Sequence, residues 1–152
     1  MKRDVERQVL KILGPSDLDE LLQLYTHLHR NDETLDPGTA QDRWGEILGM
    51  PGHTVFGVRL DDELIGSCIL QTVPNLTRGG RPYAVMENVV VRADHRARGV
   101  GTAMVRSALS EAWKAGCYKV MLLTGTDNRH TRHFYEHAGF DGTAKRGYVA
   151  KP

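Results

Sequence analysis

The apolar positions of the chain change period twice. Val9–Leu13 is a short apolar run stopped by Gly14-Pro15, the pattern of a first strand. Ser16 then reads as a helix N-cap, with Asp17, Asp19 and Glu20 loading the first turn with negative charge. Leu18, Leu21, Leu22, Tyr25 and Leu28 recur at helical spacing, which predicts a helix to about Arg30. After the polar break Asn31–Gly38, a second helix is expected over Thr39–Leu48, with Trp44, Ile47 and Leu48 on its buried side. The pattern then becomes that of strands. Thr54–Leu60 and Leu64–Val73 are apolar, β-branched runs joined across Asp61-Asp62-Glu63, an antiparallel hairpin. Pro74–Pro82 is a loop, and Tyr83–Val91 a third long strand.

Beyond it the period lengthens again. Gly99–Ala115 reads as a helix with Val105, Leu109, Ala112 and Trp113 on one side, capped by Gly116. Tyr118–Leu123 follows as a strand, Asn128–His137 as a helix ending at Gly139, and Lys145–Ala150 as a last strand. The order β-α-α-β-β-β-α-β-α-β is a meander followed by a βαβ-like crossover. It predicts an α/β fold with one mixed sheet and helices on both faces, a single domain over residues 1–152.

Composition narrows the function. Twenty Lys and Arg against nineteen Asp and Glu give a net charge of +1, so the basic excess of a nucleic-acid or membrane-surface binder is missing. No stretch approaches the roughly 18 apolar residues of a membrane span, and Met1–Arg7 has charge without an apolar run behind it, which predicts a cytoplasmic protein. The two cysteines, Cys68 and Cys117, lie in apolar surroundings and read as buried, reduced thiols. His130, His133 and His137 share a helical face, but no acidic or cysteine partner stands at a recognisable spacing, so no metal is expected.

The strongest local signal is the join of the third long strand and its helix. Gly99 and Gly101 free the backbone to turn and approach a ligand. The helix that begins there points unpaired N–H groups outward, an anion site suited to a diphosphate. A Walker loop would need a lysine before Thr102, and a dinucleotide motif a third glycine where Met104 stands.

Glu87-x-Val89-x-Val91 followed by Arg96-x-x-Gly99-x-Gly101 resembles motif A of the GNAT superfamily of N-acetyltransferases. Downstream, Asn128 stands seven residues before Tyr135, and Phe134-Tyr135-Glu136-His137-Ala138-Gly139-Phe140 resembles that family's Y-E-x-x-G-F signature. Gly116–Val120 resembles the approach to the next strand in the glucosamine-phosphate acetyltransferase branch. The match covers about Tyr83 to Phe140; one departure is Thr131, where many members have alanine.

The resemblance implies a mixed, mostly antiparallel sheet, splayed where acetyl-CoA binds. It places Val89, Val90 and Val91 along the pantetheine arm, with backbone amides of Val89 and Val91 holding it. It places Arg96, Ala97, Arg98, Gly99, Val100, Gly101 and Thr102 around the pyrophosphate. The Asn128 side chain would reach the cofactor, and the Tyr135 phenol would lie near its sulfur. Acetyl transfer to an amine needs a base and an acid, since an alkylammonium with a pKa of about 10.4 cannot attack. Glu87 is the expected base or ammonium anchor and Tyr135 the expected acid. Arg78 and Arg81, in a basic loop taken as mobile, and His27 are candidates for contact with a small-molecule amine. Homodimerisation is common in the family. The rival expectation is a module that senses acyl-CoA without turnover, which would lack Glu87 and Tyr135.

Overall fold

The structure, a computed structural model, describes residues 9–125 and 128–152; Met1–Arg7 lies outside the described residues. Five strands and four helices follow in chain order: β1 Val9–Ile12, α1 Leu18–Tyr25, α2 Pro37–Gly49, β2 His53–Leu60, β3 Glu63–Val73, β4 Tyr83–Val91, α3 Val100–Lys114, β5 Val120–Met121 and α4 Arg129–Ala138. They form one sheet in the order β1-β2-β3-β4-β5. The first four strands pair antiparallel, and β5 joins β4 in parallel. The mixed sheet and the α/β class are those expected from the sequence.

Local chemistry explains the boundaries. Asp36 accepts a hydrogen bond from Thr39 N–H at 3.1 Å and Pro37 takes the first helical position, so α2 starts two residues before the expected Thr39. The hairpin turns on two residues rather than three. Asp61 and Asp62 both have positive φ (49° and 68°), the geometry that suits a right-twisted ribbon, and Glu63 already belongs to β3. α1 ends at Tyr25 and not near Arg30. From there Thr26, His27 and Leu28 donate their N–H groups three residues back, a tightened turn.

Each face of the sheet buries its own core. Leu18, Leu21 and Leu24 of α1 and Trp44 of α2 pack on Val55, Leu64, Ile69 and Val90. Met104, Val105, Ala108, Leu109 and Ala112 of α3 pack on Phe56, Ile65, Cys68, Leu70, Ala84 and Met86. Cys68 and Cys117 are free and buried, as expected.

Other expectations fail. The expected strand Tyr118–Leu123 shrinks to Val120–Met121, and Ser16 caps no helix but lies inside the 3-10 turn Pro15–Asp17 that precedes α1. Trp113 is 51% exposed rather than core; at 3.6 residues per turn it lies about 110° round the helix from the centre of the buried stripe. Leu48 is exposed, while Trp44 and Ile47 do face inward. Lys145–Ala150 forms no strand: Tyr148 is 85% and Val149 71% exposed. Among the described residues the segment pairs with no strand, and Gly147 meets the side chain of Leu123, beyond the end of β5.

An ion cluster ties α1 to the hairpin. Arg59 donates to Asp17 at 2.6 Å and to both oxygens of Glu20 at 2.9 Å, and Leu64 N–H donates to Glu20 at 3.2 Å. The Gly14 N–H, then Arg59, holds the Asp17 carboxyl below its ordinary value, and Arg59 does so for Glu20. Their folded values are depressed, so this stabilisation is complete above the ordinary 3.8 and 4.5 and is lost as pH falls through the depressed values. Glu20 is nearly half exposed, which screens the pair. Arg59→Met is expected to lower Tm at neutral pH by about 2–4 °C, roughly 1 kcal/mol, and to flatten the acid side of the stability curve. Equal melting of the two proteins from pH 3 to 7 would show the cluster to be idle.

Candidate functional site

The sheet opens along the second half of β4. Among the described residues, strands β4 and β5 pair only at Ala84–Val120 and Val85–Met121, and Glu87–Val91 have no strand partner on that side. A bulge sits at the point of departure. Between the pairs Ile69–Glu87 and Ser67–Val90, β3 advances two residues and β4 three, and Asn88 takes φ 49°.

That extra residue reverses the strand. Ala84 turns its N–H to β5 (3.0 Å to the Lys119 carbonyl), whereas Arg92 turns its N–H to β3 (2.8 Å to the Ile65 carbonyl). Residues eight apart in an unbroken strand would face the same neighbour. Counting back from Arg92, Val91 and Val89 direct their N–H groups away from β3, into the gap. The side chains flip with them. Ala84 and Met86 face α3, and beyond the bulge it is Val89 and Val91 that pack on that side, while Val90 joins the opposite core. A strand with two free donors spaced for a ladder is a docking edge for an extended ligand.

The loop after β4 leads from this edge into α3. Gly99 has φ 84° and nothing within 4 Å of where a Cβ would stand, so it turns the chain and leaves its approach open. The first bond of α3 is Ala103 N–H to the Gly99 carbonyl, which leaves the N–H groups of Val100, Gly101 and Thr102 without acceptors in the helix. These donors and the helix dipole fit a diphosphate. Ala97 also lies at positive φ (57°), and Arg98 is exposed. Gly101 differs from its expected use. A Cβ there would stand 3.0 Å from the Phe134 ring and 3.3 Å from Val91, so its missing side chain lets α4 close on α3.

Glu87 is exposed on β4, opposite Ile69. Tyr135 of α4 is half-buried, with its ring edge-on to Phe134 at 4.8 Å and to Phe140 at 6.0 Å. Burial pushes the Tyr135 phenol up, and the charges of Cys68 and Glu87 act in the same direction. Burial also pushes the Cys68 thiol up to about 12. At neutral pH Cys68 is therefore uncharged, and Glu87 is the charge that Tyr135 feels. The phenol stays protonated, within electrostatic reach of Glu87.

Other expected residues have different surroundings. Arg81 donates to the Gly116 and Cys117 carbonyls, both at 3.2 Å, and so closes the C-terminus of α3. Its loop is not a loose strap: the Asn75 amide donates to Thr77 and to the Arg81 carbonyl. Arg78 lies over the Tyr118 ring at 5.8 Å. Asn128 caps α4, accepting from Thr131 N–H at 2.8 Å. His27 accepts from Ala93 N–H at 3.4 Å, and Arg96 donates to carbonyl oxygens. The His133 and His137 rings stack at 6.0 Å on an exposed face, and among the described residues no group of three metal-binding side chains converges. The role of Asn88 went unrecognised in the sequence. An asparagine inside a β-branched run was the available sign of Asn88, since it is depleted in strands and enriched at positive φ.

Comparison with known proteins places this geometry. The Acetyltransferase (GNAT) family profile matches residues 18–140. The chain is 30% identical over 142 residues to the glucosamine 6-phosphate N-acetyltransferase of Trypanosoma brucei brucei, covering 90% of this chain and 91% of that protein. A putative acetyltransferase from Agrobacterium tumefaciens str. C58 superposes with a TM-score of 0.91 at 40% identity, over 95% of this chain and 99% of that one. The aminoglycoside N-acetyltransferase AAC(6')-Iy, solved in complex with CoA, shares the fold at a TM-score of 0.77 and 18% identity, over 95% and 94% of the two chains. The chain belongs to the GNAT family of acetyltransferases and is an acetyl-CoA-dependent N-acetyltransferase.

Proposed function

We propose that the enzyme passes the acetyl group of acetyl-CoA directly to a primary amine of a small molecule, with both substrates bound together. The carrying observation is the bulge at Asn88, which frees the Val89 and Val91 N–H groups where β4 leaves β5. Those amides hold the pantetheine arm, and the donors from Gly99 to Thr102 hold the diphosphate. Asn128 joins them through its side chain. Acetyl-CoA supplies an activated thioester. Around it Glu87 binds the ammonium and takes its proton, Val89 N–H donates to the carbonyl oxygen as charge gathers there, and Tyr135 donates to the departing sulfur. No covalent enzyme intermediate is needed, and Cys68 is buried and neutral.

An amino sugar phosphate is the first acceptor to try, given the name of the Trypanosoma relative. Arg81 is fixed on two carbonyls, so it does not recommend itself for the phosphate; Arg78 is the better candidate in that loop. The proposal keeps the expectations of a cytoplasmic enzyme and of homodimerisation. Among the described residues no helix is long and apolar enough to cross a membrane.

The test is CoA release, read with a thiol reagent, from acetyl-CoA and a panel of amines. The panel holds glucosamine 6-phosphate, aminoalkylphosphonates, amino acids, polyamines and aminoglycosides. Turnover on one class is the expected result. Tight acetyl-CoA binding without turnover on any amine would favour a sensing module. No binding of acetyl-CoA would overturn the assignment of the β4 edge and the loop.

A further inference from the structure

Helix α1 ends on the loop that follows β4. Arg96 donates through Nε to the Val91 carbonyl at 2.9 Å and through Nη2 to the His27 carbonyl at 2.8 Å. Ala93 N–H donates to His27 Nδ1 at 3.4 Å. Half a turn earlier, the Tyr25 hydroxyl lies beside Asn88 and Ser67. The last residue of α1 and the turn that follows it therefore touch both the bulge and the loop. Arginine carries a rigid, planar fork of donors, and here two arms of it are set on backbone oxygens of separate elements. The sequence motif alone would aim that charge at a phosphate.

We propose that Arg96 is a positioning residue, which fastens the turn after α1 to the end of β4 and so holds the strand that receives the thioester in one geometry, rather than a charge that binds the diphosphate. This rests on the acetyl-CoA reading above. Two features of the loop make the tether necessary. Ala97, which carries a Cβ, sits at positive φ (57°), so the turn between β4 and α3 is costly to hold unaided. Arg92, at its other shoulder, is likewise spent on protein groups, Glu63 at 2.7 Å and Asp94 at 2.8 Å.

The experiment compares acetyl-CoA with S-acetylpantetheine, a donor with no diphosphate and no nucleotide, in wild type and three variants. Arg96→Ala is expected to lower kcat/KM by about 10-fold or more with either donor. Arg96→Gln, neutral but with a donor where Nε stands for the Val91 carbonyl, recovers part of the loss with acetyl-CoA. Arg96→Lys, charged but without the fork, does not. CoA binding by Arg96→Gln keeps the salt dependence of wild type. The opposite pattern overturns the proposal: Arg96→Lys near wild type, Arg96→Gln poor, and S-acetylpantetheine turnover untouched by Arg96→Ala. Little change in Arg96→Ala with either donor overturns it too. If S-acetylpantetheine proves too poor a donor, the order of the lysine and glutamine variants with acetyl-CoA decides. Melting curves separate misfolding from mispositioning. CoA titration of wild type, done first, shows whether a failure belongs to this proposal or to the function beneath it.

Discussion

Tyr135→Phe lowers kcat by about 10- to 150-fold while acetyl-CoA binding stays within about twofold. The range follows from a hydrogen bond to a group developing charge, about 1.5–3 kcal/mol. The elevated phenol excludes a larger effect. Burial, with the Glu87 charge, holds it above its ordinary value of 10.0, whereas a thiol titrates near 8.5. Full proton transfer from Tyr135 to a finished thiolate therefore runs uphill. What Tyr135 offers is a proton shared with sulfur while the bond breaks, not a complete acid in advance.

The sign of the pH dependence follows. The active form carries the phenol protonated, so its contribution holds through neutral pH and fades only as pH rises past its elevated value. The wild-type kcat profile should show an alkaline limb above pH 10, and Tyr135→Phe should lack it. A variant with full kcat, or one that keeps the limb, would return Tyr135 to core packing beside Phe134 and Phe140.

How much of this was legible in the sequence depends on the range of the interaction involved. Strand β4 was readable to the residue, since a β-branched run ended by a charged loop is a local pattern. Gly99 was readable for the same reason, because only glycine turns the chain there without cost. The bulge at Asn88 depends on register with β3, a partner some twenty residues away, and the reversal of Val89 and Val91 is its consequence. Lys145–Ala150 ends in a short apolar run, Tyr148-Val149-Ala150, but pairs with no strand among the described residues. Arg81 and Arg96 show the third limit. Long polar side chains carry no mark of whether they end on a ligand or on a carbonyl, and both end on carbonyls. Tyr135 and Glu87 were named from motif spacing, and their electrostatic influence on each other appears only once the chain is folded.

Glu87→Gln lowers kcat/KM for the amine by about 100-fold near pH 7, with the KM for acetyl-CoA unchanged. At that pH an alkylamine with a pKa of about 10.4 is almost wholly protonated, so the reaction depends on a group that holds the ammonium and removes its proton. Glutamine keeps the size and the hydrogen bonds of the side chain and loses the charge. As pH rises toward the amine's own pKa, free amine arrives from solution already deprotonated, and the deficit should shrink to about 10-fold or less. A second consequence links the two residues. The Glu87 charge helps to hold the Tyr135 phenol up, so its removal lets that pKa fall, and the alkaline limb of kcat moves to lower pH in Glu87→Gln. A deficit constant across pH, with an unmoved limb, would make Glu87 a solvated strand residue and send the search for the base elsewhere along the gap.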